Sequence, residues 1–482
     1  MDFNNIETST RQRAAELQVE REKQFESASI NHLPIEILVD IFDLCLPFSK
    51  YDSAVSPTNI RWVLASVCLR WRYTVFGTAD LWTRVVVSTN DGEISIPALF
   101  RFLKNSADHL LWVALVETEE TSLEDARPLI DALVHSSAAR WKTFGLHVHQ
   151  RSWKCPPFLT TLLSFPAPSL EEFYLTPIHA VADSTEDLQH LLERWLATQC
   201  PSLRRGAISL KYDRSPFLFS ISMTHVTVFT ESDAFSKLRQ CPSLLELRCR
   251  RKACIPLAVN PPGISHQMLY ALTDSYGLVR SLNLPALRFL ELYPVFNGRN
   301  VDTAELAAFL RRSKCELNGI VIQEPTIVHE PRFIQDVLSP LSRSLVAFGL
   351  LVDSSEEATY ATYEMLFKFL THTSSTSSVL GKLQAVMFII RAGNPTIYEL
   401  IAEMLRSRLR KSRTMDTGVA QLVAASVFHE EGKVIVQGFS DWENEGLQMI
   451  GPHPSPVSFW HGPWMDRSSI LVPLGIWKQL FS

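Results

Sequence analysis

The phrase APSLEEFYL (residues 167–175) returns as CPSLLELRC (241–249) and LPALRFLEL (284–292), and more loosely as CPSLRRGAISL (200–210). The first three copies share Pro-[Ser/Ala]-Leu-x-x-[Leu/Phe]-x-[Leu/Cys]. A proline stops whatever helix precedes it, and apolar residues two apart place one strand face inward. Each copy therefore reads as the junction where a helix ends and a strand begins. Before the 200–210 copy, DLQHLLERWLATQ puts Leu188, Leu191, Leu192, Trp195 and Leu196 on one helical face. DTAELAAFLRRSKCELNGIVIQ (302–323), RFIQDVLSPLSRSLVAFGLLV (332–352) and the stretch from TIYELIAEML to VAQLVAASVF (396–428) repeat the order helix, then strand.

Units of about 25 to 40 residues, each a strand and a helix, predict an α/β solenoid, because a single unit cannot bury its own apolar faces. The LxxLxL core resembles the strand of a leucine-rich repeat, without the Asn or Cys that usually follows it. A doubly wound nucleotide-binding sheet is the competing α/β reading. No Gly-rich strand-to-helix turn of the GxGxxG or Walker type supports it.

Upstream of the repeats the chain reads differently. NHLPIEILVDIFDLCLP (31–47) reads as one helix with too much apolar surface. Glu36, Asp40 and Asp43 share a polar stripe only about 80° wide, whereas a helix reaching a single core needs an apolar arc of about 100° or somewhat more. Ile37, Leu38, Ile41, Phe42, Leu44, Cys45 and Leu46 cover most of the remainder. After a loop, Ser56-Pro57 reads as the cap and first turn of a second helix. Its Ile60, Val63, Leu64 and Val67 fall at i, i+3, i+4, i+7. CLRWRYTVFGTADLWTRVVV (68–87) continues as a third short helix, a turn and a strand. The expected segments are a polar leader over 1–30, a helical domain over 31–88, the solenoid over 89–440 and a Pro- and Trp-rich end over 441–482.

The totals exclude several classes. A net charge of −5 supplies no basic field for nucleic acid. The polar N-terminus has no signal-peptide core, and no apolar run approaches the roughly 20 residues of a membrane span. Eight cysteines without a CxxC pair and no N-x-S/T sequon with x other than Pro fit a reducing compartment, cytoplasmic or nuclear. His147 and His149 share a strand face, but no third metal ligand lies near them in sequence. Cys200 and Cys241 precede the same phrase and read as small buried hydrophobes rather than reactive thiols. RLRKSR (408–413) reads as the basic end of a helix in preference to a nuclear signal. No GxSxG, HExxH or P-loop is present, so no catalytic residue, cofactor or metal is expected.

Three pieces of 31–88 stand in a familiar order: LPIEILVDIFDLCLP, VCLRWRYTV and LWTRVVV. Together they resemble the F-box-like domain common in fungal proteins. They match its Leu-Pro-x-Glu-Ile-Leu-x-x-Ile-Phe, its Val-Cys-x-x-Trp-Arg and its Leu-Trp before a strand. The resemblance covers about an eighth of the chain. It implies a fold of three short helices followed by a leucine-rich-repeat-like solenoid, and a first helix serving two partners. One side would pack on the domain and the other on a Skp-type adaptor of a cullin–RING ubiquitin ligase. Carried over, the adaptor contacts are Leu33, Pro34, Ile37, Leu38, Ile41, Phe42, Val67 and Trp71. The implied role is non-catalytic: a substrate-recognition subunit of an SCF-type ligase whose solenoid holds a protein client. The alternatives are an adaptor-bound scaffold without a degraded client, or an enzyme on a repeat scaffold. Trp460 and Trp464 are candidate client contacts; the competing role for 441–482 is a cap over the last repeat.

Overall fold

A computed structural model describes residues 29–46, 53–56, 58–91, 95–117, 126–147, 162–178, 185–210, 222–228, 231–249, 263–275, 277–294, 301–323, 325–330, 332–353, 357–371, 380–392, 395–410, 422, 424–429 and 448–449. Residues 1–28 of the leader, Trp460, Trp464 and nearly all of 441–482 lie outside these residues.

The fold is α/β. Three helices come first: α1 (Ile35–Cys45), α2 (Ile60–Val67) and α3 (Leu69–Gly77). A parallel sheet follows, with fourteen strands among the described residues. It opens with β1 (Arg84–Ser88), β2 (Leu111–Val116), β3 (Trp141–His147), β4 (Glu172–Ile178), β5 (Arg205–Leu210), β6 (His225–Val228) and β7 (Glu246–Cys249). It continues with β9 (Ala271–Asp274), β11 (Phe289–Leu292), β12 (Gly319–Ile322), β13 (Ala347–Asp353), β14 (Ala385–Ala392), β15 (Ala424–His429) and β16 (Gln448–Met449). The two-residue strands β8 (Ile264–Ser265) and β10 (Leu282–Asn283) pair apart from it. Each strand of the large sheet neighbours the next in sequence order. The chain thus advances one strand per unit, the solenoid-like path expected, and never reverses as a doubly wound sheet must.

Helices α4 (Ile96–Asn105), α5 (Arg127–Ser137), α6 (Thr185–Thr198), α7 (Glu231–Gln240), α8 (Thr303–Ser313), α9 (Glu357–Leu370) and α10 (Pro395–Arg410) connect strands. Their apolar faces join alternate strand residues in one core that runs from Leu38 to Val427. The opposite strand positions form two separate small clusters, one around Val86 and Ala114 and one around Phe289, Val321 and Met387. The helices therefore form a layer on one side of the sheet, and its other face is a distinct surface.

The repeated phrase builds the turn into each strand. In the four copies the N–H of Leu170, Leu203, Leu244 and Leu287 donates to the carbonyl three residues back, at 3.0–3.2 Å. All four leucines are fully buried. The next residue donates to the preceding repeat, as from Arg204 to Glu171 and from Leu245 to Thr224. The same rung continues to Gln384, which donates to Val346 at 2.8 Å. Later units lack the proline before the leucine and enter their strands by other turns. There α8 ends at the left-handed Lys314 (φ 49°), and the left-handed Leu380 (φ 53°) accepts from the Leu383 N–H at 3.1 Å.

Two sequence expectations change. The strand-like RVVV, assigned to the helical domain ending at 88, pairs in parallel with β2 and is the first strand of the sheet. No break in the core falls at 88/89, because Trp82 of the helical part stacks edge-on with Phe102 of α4 at 5.1 Å. The cap of α2 is Asn59, whose side chain accepts from the Arg61 N–H at 3.1 Å, and not Ser56.

Candidate functional site

On α1, Leu38 and Phe42 point inward and are fully buried. Phe42 meets the Trp71 ring edge-on at 4.8 Å, which ties α1 to α3. Ile37 and Leu44 lie about 130° around the helix from that pair. They are 44% and 80% exposed. Ile41, between the two directions, is half-buried. The excess apolar surface read in the sequence therefore faces outward.

The second and third helices do the same. On α2, Leu64 is buried together with Arg61 and Ala65, while Val63 and Val67 are exposed. Its i, i+3, i+4, i+7 face is thus split between core and solvent. The reason is Arg61, which turns inward, donates through Nε to the Leu81 carbonyl and lies 5.1 Å over the Phe102 ring. On α3, Leu69, Tyr73 and Phe76 are exposed and Thr74 and Val75 are buried. Of fifteen large exposed hydrophobics among the described residues, nine lie between Ile30 and Phe76. That concentration in one tenth of the chain makes these helices the candidate interaction surface among the described residues.

A rigid frame holds this surface. Trp82 donates through Nε1 to the Val75 carbonyl at 2.7 Å, and its ring lies 4.9 Å from Trp62 and 5.5 Å from Phe76. Arg70 donates to the Leu33 carbonyl, Arg72 to Ala65 at 3.0 Å, and Arg84 of β1 pairs with Asp43 of α1 at 3.5 Å.

Of the eight residues carried over as adaptor contacts, Pro34, Ile37 and Val67 are exposed, and Leu33, Ile41 and Trp71 are half-buried. Leu38 and Phe42 are corrected: their side chains form the unit's own core and present no surface. Leu69, Tyr73 and Phe76, spaced i, i+4, i+7 in LRWRYTVF, are exposed beside them and carry no signal in the F-box-like motifs.

A second site lies on the sheet face away from the helices. Glu172, Arg205, His225 and Glu246 stand side by side in one row across β4 to β7. Arg205 Nη1 donates to Glu172 at 2.5 Å, and Arg248 Nε to Glu246 at 2.5 Å. His225 Nε2 lies 3.6 Å from Glu246. Tyr174 and Thr143 also donate to Glu172. Glu291 accepts from Thr273, Tyr293 and Gln323 at 2.9–3.2 Å. Burial, then the neighbouring Glu172, pushes the Tyr174 hydroxyl far above its usual range, so it stays a donor.

The remaining sequence candidates resolve individually. His147 is buried at the end of β3, and His149 lies outside the described residues. Among the described residues no three His, Cys, Asp or Glu side chains come together as a metal-ligand set. Cys200 and Cys241 are buried at equivalent turns; burial pushes the Cys200 thiol up to about 12 and raises Cys241 as well. Arg408, first of the basic run, is buried and donates to the carbonyls of Leu370 and Leu380. Its burial lowers its pKa to about 10. It therefore closes a neighbouring helix end rather than offering a basic surface. Among the described residues no helix is long and apolar enough to cross a membrane.

No protein-family model matches the chain, and no curated protein matches it. A crystal structure of a Bacteroides fragilis protein, determined by a structural genomics consortium, is similar over 50% of this chain and 64% of its own length, at 15% identity and a TM-score of 0.30. Likeness at that level carries no argument about fold or function.

Proposed function

We propose that this chain is a substrate-recognition subunit of an SCF-type ubiquitin ligase. Residues 31–88 would act as an F-box-like module that docks on a Skp-type adaptor, and the leucine-rich-repeat-like units would hold a protein client. The observation that carries this reading is the apolar surface of α1, α2 and α3, concentrated where the F-box-like motifs lie. Pro34, Ile37 and Val67 are its exposed contacts, Leu33, Ile41 and Trp71 its margin, and Leu38 and Phe42 the support beneath. The mechanism is proximity. A client held on a rigid sheet, fixed at one end to the ligase, meets the ubiquitin-charged enzyme at a raised effective concentration, and no residue of this chain makes or breaks a bond.

The test is co-expression of the full chain with a Skp-type adaptor. Ile37→Glu combined with Val67→Glu places charge on an apolar interface and should abolish co-purification. Both residues are exposed, so the melting temperature should change little. Failure of the unaltered chain to hold the adaptor would overturn the proposal. A client that co-purifies but does not accumulate under proteasome inhibition would favour a scaffold without a degraded client.

A further inference from the structure

Strand β1 begins the large sheet, and among the described residues β2 is its only strand neighbour. The Thr83 carbonyl, just before β1, accepts from the Trp112 N–H on the β2 side. Backbone groups alternate in direction along a strand, so those of Arg84, Val86 and Ser88 point away from β2. A sheet edge of this kind is a template for pairing with another strand unless something covers it.

Residues 53–56, between α1 and α2, lie across this edge. The Ala54 N–H donates to the Val86 carbonyl at 2.8 Å. The Ser88 N–H donates to Asp91 Oδ2 at 2.7 Å, and the Ser53 hydroxyl donates to the same oxygen at 2.6 Å. Ser53 Oγ also accepts from the Val55 N–H at 3.2 Å, and the Ser53 carbonyl accepts from Asn59 Nδ2 at 3.0 Å. The Ser56 carbonyl accepts from the Asn59 N–H at 3.0 Å. Ser53, Ala54 and Val55 are all buried. The segment is thus tied to Asp91 at its start and to Asn59, the cap of α2, at its end. Among the described residues a single backbone hydrogen bond joins it to β1. An antiparallel strand centred on Val86 would bond at Arg84, Val86 and Ser88 alike.

We propose that residues 53–56 are a strap over a latent pairing edge, and that on its release β1 pairs antiparallel with β1 of a second copy of this chain. The strand suits itself as a partner. It reads Arg-Val-Val-Val-Ser, with three β-branched residues in a row. Pairing about Val86 sets Val86 against Val86, Val85 against Val87 and Arg84 against Ser88, so no like charges meet across the two-fold axis. The proposal depends on neither an adaptor nor a client, so it stands or falls apart from the ligase reading.

The test is disulfide trapping in the purified full chain. Val86→Cys puts a thiol at the centre of the pairing, where facing Cα atoms would be about 5.5 Å apart, within disulfide range. With the strap intact, mild oxidation should give no linked dimer beyond the background from exposed Cys45, measured in the unaltered chain. Adding Asp91→Ala, which removes the acceptor of both Ser53 and Ser88, should produce a disulfide-linked dimer at twice the chain mass. Ala54→Pro, which removes the N–H given to Val86, should do the same and serves if Asp91→Ala does not fold. Ser88→Cys, which faces Arg84 in this pairing, should stay unlinked in the same strap variants. The proposal is overturned if the folded strap variants give no dimer through Val86→Cys, or if Val86→Cys links equally well with the strap intact. It also fails if Ser88→Cys links as readily as Val86→Cys.

Discussion

The two ends of one helix cross-section, the Phe42 side and the Ile37 side of α1, carry the same kind of residue and have opposite surroundings. Phe42 and Leu38 are fully buried against α3 and the core; Ile37 and Leu44 face outward. The repeat region shows the ordinary arrangement. In α8, Leu306, Ala307, Phe309 and Leu310 are buried, and the other face carries Glu305, Arg311 and Arg312. Apolar residues on a solvent face cost solubility, and a soluble surface helix has no physical need of them. The difference between α1 and α8 teaches that the N-terminal helices carry an apolar face that the other described residues leave uncovered, whereas the repeat helix α8 carries none.

The comparison breaks if both faces of α1 respond alike to mutation. Phe42→Ala empties a fully buried ring site and should cost about 3–5 kcal/mol. Ile37→Ala, at an exposed site, should change stability by less than about 0.5 kcal/mol while weakening adaptor capture. Denaturant unfolding of the two variants, each with a parallel adaptor pull-down, checks the pair. A large stability loss from Ile37→Ala would mean that its face is covered within the chain.

A second contrast separates the cysteines of the repeat turns from Cys45 on α1. Cys45 is exposed; Cys200, Cys241 and Cys315 are buried. Burial raises the three buried thiols, to about 12 for Cys200 and about 11 for Cys315. Their folded values lie above the unfolded value near 8.5. The folded state therefore keeps protons that the unfolded state has lost. The stability from these groups is whole below about pH 8.5 and falls as pH rises towards the folded values. By pH 10 Cys200 and Cys315 should each remove about 2 kcal/mol, and Cys241 acts in the same direction. Melting temperature measured from pH 7 to 10 should fall, and should fall less steeply in Cys200→Ala. Alkylation at pH 8 should label Cys45 and spare Cys200 until the chain unfolds. Equal slopes in the two proteins would remove Cys200 from the account.

Much of this was legible in the sequence because the signals were local. The phrase Pro-[Ser/Ala]-Leu fixed the turn into each strand, and Leu170, Leu203, Leu244 and Leu287 occupy one structural position. The sheet-face site was written in the same phrase and went unread. Glu172, Arg205 and Glu246 hold one variable position of that phrase and His225 stands on the strand between two copies, an arrangement that becomes a network only when consecutive strands lie side by side in register. Sequence spacing cannot supply that neighbourhood; parallel pairing does. The inward turn of Arg61 was illegible for a related reason. Its partners, the Leu81 carbonyl and the Phe102 ring, come from distant segments, and a lone arginine in IRWVLASV reads as solvated. Equally, apolar periodicity located the faces of α1 but could not tell which one met the core.

The smallest expected effect concerns the two ways a repeat ends its helix. Units with a proline stop by geometry; α8 stops at Lys314, a non-glycine residue in the left-handed region at φ 49°. Its N–H donates to the Leu310 carbonyl at 2.9 Å, the bond that closes such a helix end. An L-residue with a Cβ is disfavoured there by about 1 kcal/mol, whereas glycine is not. Glycine also gains entropy in the unfolded chain, which offsets part of the relief. Lys314→Gly should therefore stabilise by no more than about 0.5–1 kcal/mol, seen as a rise of about a degree or two in melting temperature. The same change at an α-helical position inside α8, such as Ala308→Gly, should destabilise by about 1 kcal/mol. The opposite signs of the two changes, measured together by calorimetry, isolate the backbone conformation from the loss of the side chain. A destabilising Lys314→Gly would show that the lysine side chain, and not the turn, holds the start of β12 in place.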